Sequence, residues 1–294
     1  MIARRLRVGA LVALGLAVVA YWASTRTVAG QEFGDTAYEA RFSAGEEAID
    51  LSHTSLALLT HASLLLMGAV LVGVALVRAR PLLAVGVATL VFGTAFLAEL
   101  LKEALPRPAL GVDPAVLAHN TGPSGHASIS MAIALALVMV VPIRLRPAAA
   151  ALGAAWATII ATSTLAAGWL RPGDALSGEL LALGLALVIC AVIVQVHGDG
   201  LIVVPRGRGN LGPPWVIALG LMLGAFVLVD LFVLPDAATV DTGHSEFVTA
   251  SALIASVAIA CVASFTALLR DVDLDAQVTG ATPPAQVPAG PGDS

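Results

Sequence analysis

The chain has 294 residues, 58% of them hydrophobic and 12% charged, with a formal net charge of −5 and a mean hydropathy of +0.92. A water-soluble domain carries about 25% charged residues, so the composition excludes that class and describes a polytopic membrane protein, for which no nucleic-acid partner is expected. Cys190 and Cys261 stand in apolar runs without metal-ligand spacing and read as small core residues.

Eight apolar segments are long enough to cross about 30 Å of hydrocarbon. They lie near 8–24, 55–77, 81–101, 126–143, 147–168, 175–196, 214–234 and 247–269. The expected fold is an all-α bundle of about eight transmembrane helices. The first segment follows the basic start Met1-Ile-Ala-Arg-Arg-Leu-Arg. It lacks a convincing small-x-small cleavage site and is read as a retained helix rather than a signal sequence. Loop 25–54 has room for a short surface helix around 45–50. The tail from Asp271, rich in Pro, Gly and Asp, is expected to be disordered.

Basic residues set the expected orientation. With the N-terminus in the cytoplasm, Arg4, Arg5, Arg7, Arg78, Arg80, Arg144, Arg146, Arg206, Arg208 and Arg270 fall inside, and Arg26, Arg41, Lys102, Arg107 and Arg171 fall outside. This places both termini in the cytoplasm of a multi-pass plasma-membrane protein. The outer cations are few, and three of them cluster near the ends of the third and fifth segments.

On this topology three stretches converge on the outer face. Lys102-Glu-Ala-Leu-Pro-Arg-Pro108 leaves the third segment, and Pro123-Ser-Gly-His126 enters the fourth. Residues 163–178, with Ser163, Gly168, Arg171, Asp174 and Gly178, join the fifth and sixth. Ser124 is placed to cap a helix whose positive end, with Gly125 and His126, suits a phosphate. Cations and N–H groups would bind non-bridging oxygens, and a histidine would move protons. Taken singly, Lys102 and Arg107 could be interfacial anchors, with Glu99 or Glu103 pairing to Lys102. Asp174 alone could be a helix cap.

Together these residues resemble the type 2 phosphatidic acid phosphatase (PAP2) and vanadium haloperoxidase superfamily, over roughly residues 55–196. Pro123-Ser-Gly-His126 matches in full. Four residues separate Lys102 from Arg107 where six are more usual. The third stretch departs from the family's Ser-Arg-x5-His-x3-Asp, having Thr164 in the arginine position and Leu170 in the histidine position. The resemblance implies a six-helix core over 1–196, followed by two additional helices in 197–270 and the tail 271–294. It implies His126 as general acid, Lys102 and Arg107 as phosphate clamps, and Asp174 as the orienter of a histidine that is missing; Ser124 and Gly125 at the helix start, and Arg171 by its charge, are read as further phosphate-binding residues. It implies a lipid phosphate monoester, polyprenyl or glycerolipid, as ligand, with no cofactor and no metal.

Leucine cannot attack phosphorus, and a permanently protonated arginine is no nucleophile. Losing the nucleophile of a concerted site costs on the order of 10⁴ to 10⁶ in rate. A phosphatase reading therefore needs a substitute among His53, His61, His119 and His244. Thr242-Gly-His-Ser-Glu246 enters the last segment much as Ser124-Gly-His126 enters the fourth, although Gly and polar residues commonly start helices. His61 lies about 10 Å inside the second segment at 1.5 Å per residue, where a polar residue faces the bundle interior. It is either a packing residue or part of the site. The alternative function is a catalytically silent relative that binds a lipid phosphate or a membrane partner.

Overall fold

The computed structural model describes residues 2–110, 120–197 and 242–274. The described residues form nine α-helices: α1 (Ile2–Arg26), α2 (Val28–Glu39), α3 (Glu46–Leu58), α4 (His61–Val77), α5 (Pro81–Ala104), α6 (Gly125–Val140), α7 (Arg146–Ala166), α8 (Pro172–His197) and α9 (Thr242–Leu268). Hydroxyls set three of the starts: Thr27, Thr60 and Ser124 accept the N–H groups of Gly30, Ser63 and Ala127. Proline in the first turn starts α5 and α7, where its missing N–H costs nothing.

The expectation of eight spans is corrected. Among the described residues five helices are long and apolar enough to cross a membrane, or six if α3 and α4, bent by 55°, form one broken span. The helix expected over 55–77 is interrupted because Thr60 caps a new start at His61. The one expected over 126–143 stops at Val140, since Val141 is extended ahead of Pro142. That leaves α6 with 16 residues, or about 24 Å at 1.5 Å per residue. The segment expected at 214–234 lies outside the described residues, as does the tail beyond 274. Loop 25–54 holds two helices, α2 and α3, in place of one short one.

The core is built around α6, buried along almost its whole length between α4, α5, α7 and α8. Lipid offers no hydrophobic drive between helices, so close backbone approach has to supply the packing. Gly178 provides it where α8 meets α6: a Cβ there would stand 2.5 Å from Ser128 Oγ and 3.0 Å from the Ser124 carbonyl. At the opposite end of the bundle arginines cap the C-terminus of α9. Arg5 pairs with Asp271 at 2.9 Å and donates to the Leu268 carbonyl at 2.7 Å, and Arg146 donates to the Leu269 carbonyl at 3.0 Å. This leaves the starts of α6 and α8 and the ends of α5 and α7 together at the other end.

Candidate functional site: two cavities at one end of the bundle

Backbone and side-chain bonds tie the three stretches together. Asn120 Nδ2 donates to the carbonyls of Lys102, Leu105 and Gly122 at 3.2, 2.7 and 2.9 Å, clipping the entry to α6 onto the end of α5. The Ser124 N–H donates to the Asp174 carbonyl at 2.9 Å, joining α6 to α8. The Asp174 carboxylate accepts from the Thr121 hydroxyl and, at 2.9 Å, from the Arg171 N–H. Asp174 is 1% exposed, and it holds a turn and a loop rather than a histidine.

A first cavity of about 250 Å³ opens beside the start of α6, lined by His61, Lys102, Asn120, Thr121, Ser124, Gly125, His126, Thr164, Trp169 and Leu170. The ring centroids of His61 and His126 lie 4.1 Å apart, and that of Trp169 stands 5.3 Å from His126. His126 Nε2 is buried without a hydrogen-bond partner. A buried orphan nitrogen facing a cavity is a group for a ligand to satisfy. Lys102 Nζ is bonded to Glu99 Oε1 at 2.8 Å.

Leu170 is 2% exposed and packs in a cluster with Ala127, Leu165, Ala175 and Phe247. The histidine position of the third stretch is thus filled by core packing. Thr164 turns its hydroxyl back to the Ala161 carbonyl at 2.7 Å.

A second cavity of about 360 Å³ lies between α1, α2, α8 and α9, with Arg107, Arg171 and Asp174 among its lining residues. Asp35 of α2 bonds Arg171 Nε and stands 3.7 Å from Arg107 Nη2. The two guanidinium side chains are only 5% and 8% exposed. Burial and the neighbouring Arg171 pull Arg107 below its ordinary value, against the pull of Asp35 and Asp174. Gln31 of α2 also donates to the Pro108 carbonyl at 2.8 Å. Gly168 has φ +71° and leaves no room for a Cβ beside Arg41 Nε. The segment 28–44 therefore covers the two motif loops.

The structure brings His61, Lys102, Ser124, Gly125 and His126 to one cavity. Arg107, Arg171 and Asp174 face the other. His53 is exposed on α3 and lines neither cavity. His119 and the side chain of His244 lie outside the described residues. Sequence reasoning missed Asp35 and Trp169. Gly30 and Gly34, one turn apart, were the available signal for α2, since a Cβ at Gly34 would stand 3.3 Å from Arg171 Cδ. Among the described residues no cluster of three or more His, Cys, Asp or Glu side chains has metal-site geometry.

With that geometry in place, the class is plain: residues 54–197, from within α3 to the end of α8, match the family model of the PAP2 superfamily. The chain is a membrane protein carrying a PAP2 superfamily domain. No curated protein and no solved structure matches it.

Proposed function

We propose that this chain is a membrane phosphatase of lipid phosphate monoesters in which His61 replaces the nucleophile missing at Leu170. The observation that carries this reading is the contact of two imidazoles, His61 and His126, at 4.1 Å in a cavity that also holds Lys102 and the N-terminus of α6. Lys102 and the α6 N–H groups bind the non-bridging oxygens. A neutral His61 nitrogen attacks phosphorus, the bond from phosphorus to the lipid oxygen breaks, and protonated His126 donates its proton to that oxygen. Water then attacks the phosphohistidine, His126 takes the water's proton, and phosphate and free His61 result.

The two rings touch, so the in-line arrangement requires His61 to turn away from His126. Its exposed position at the first residue of α4 supports that motion. The arginine bias of the loops supports a site facing outward, with the lipid tail between helices.

The test is phosphate release by purified protein from a panel of polyprenyl and glycerolipid phosphates. Release is expected, and it is lost in His126→Ala. Protein inert to the whole panel contradicts the proposal. The second reading, a silent lipid-phosphate binder, draws support from the packed Leu170 and from Asp35 engaging both arginines. It predicts lipid-phosphate binding that depends on Lys102, without turnover.

A further inference from the structure

Resting on the reading of His61 as nucleophile, we infer that Glu99 is its positioning residue, dividing its carboxylate between His61 and Lys102. Asp174 is not available for this, being bonded to Thr121 and Arg171 and facing the second cavity. Glu99 sits on α5 one turn before Lys102, at the same end of the bundle as His61.

The meeting point is Gly125. A Cβ on that residue would stand 2.6 Å from His61 Nε2 and 2.8 Å from Glu99 Oε1. Both atoms press on one spot at the start of α6, and glycine leaves that spot open. Glu99 Oε1 already receives Lys102 Nζ and is not bonded to His61 in this structure, but a carboxylate oxygen accepts a second donor, and this one faces the same space beside Gly125 as Nε2. A carboxylate that accepts one ring N–H fixes the tautomer and puts the lone pair on the other nitrogen. With the proton on Nε2, beside Glu99, the attacking atom is Nδ1. When Nδ1 bonds to phosphorus the ring becomes cationic, and the Glu99 carboxylate offsets that charge. No proton passes to Glu99 and no bond forms to it.

Gly125 then has a role beyond helix initiation. Its missing side chain lets α4 and α5 deliver an imidazole and a carboxylate to the same point on α6. The acid–histidine pairing that the third stretch lost with Leu170 is rebuilt from two other helices.

The experiment measures His61 nucleophilicity directly, on the full chain in detergent, by diethyl pyrocarbonate labelling resolved peptide by peptide. His53, exposed on α3, is the internal reference. Glu99→Gln is expected to slow His61 labelling relative to His53 by roughly three- to tenfold, the weight of one hydrogen bond, with Glu99→Asp in between. Phosphate release in Glu99→Gln falls in kcat with KM little changed, and its pH profile shifts. Lys102→Met, which frees Glu99 from its bridge, leaves His61 labelling undiminished and so separates loss of positioning from loss of fold. An unchanged His61 rate in Glu99→Gln overturns the inference. If His61→Ala and His126→Ala abolish turnover while Glu99→Gln alters neither readout, the phosphatase reading stands and the role of Glu99 falls. If the wild type shows no turnover the phosphatase reading falls, and the labelling ratio still decides whether Glu99 holds His61.

Discussion

The histidine cavity and the arginine cavity lie on opposite sides of the turn 170–174, with Leu170 facing one and Arg171 the other. In the first, two imidazoles meet and one buried nitrogen has no partner. In the second, Asp35 bonds Arg171 and stands 3.7 Å from Arg107, whose Nη2 is likewise buried without a hydrogen-bond partner. The difference teaches which side is built for chemistry. Imidazoles can exchange a proton with a ligand, whereas guanidinium groups held beside a carboxylate stay charged and supply only charge and hydrogen bonds. Asp35 ties Arg171 to α2, and on the proposed reading Lys102 with the α6 N-terminus receives the phosphate.

Four substitutions break or sharpen that comparison. The largest effect is expected from His61→Ala, a fall in kcat on the order of 10⁴ or more for lipid-phosphate hydrolysis, the cost of a lost nucleophile. His126→Ala comes next, with a loss of about 10² to 10⁴. Comparing an alkyl with an aryl phosphate checks its role, because the aryl leaving group needs no proton and its hydrolysis falls least. Lys102→Met should raise KM by roughly 10- to 100-fold, the worth of a hydrogen bond between charged groups, as read by substrate titration. The smallest effect on turnover belongs to the other cavity. Asp35→Ala should leave kcat within about twofold and lower stability by about 2 kcal/mol, seen as a lower thermal midpoint. A marked rise in turnover in Asp35→Ala would mean that the freed arginines join the reaction, and the separation of the two cavities would fail.

The site was legible in the sequence where the signal was local. Ser124-Gly125-His126 reads as a capped helix start because a hydroxyl cap and the apolar run after it are contiguous, and the absence of a nucleophile is visible at Leu170 itself. His61 could be placed only as one of several histidines, since its partner lies on another helix and sequence spacing does not encode the meeting. The division of cations between cavities was illegible for the same reason. It follows Asp35, far from Arg107 and Arg171 in sequence, on a helix of 12 residues that is too short and too polar to register as a membrane span. The number of spans failed on local details that a hydropathy window averages away: the Thr60 cap that splits α3 from α4, and Pro142, which ends α6 early.

The central claim, that His61 is the phosphoryl acceptor, has a direct measurement. Purified protein mixed with a lipid phosphate monoester and quenched rapidly at alkaline pH, where phosphohistidine survives, can be digested and mapped by mass spectrometry. The account predicts a phosphoryl group on the peptide containing His61, accumulating in His126→Ala given an aryl phosphate and absent in His61→Ala. Phosphorylation of a different residue, or phosphate release that persists undiminished in His61→Ala, would contradict it.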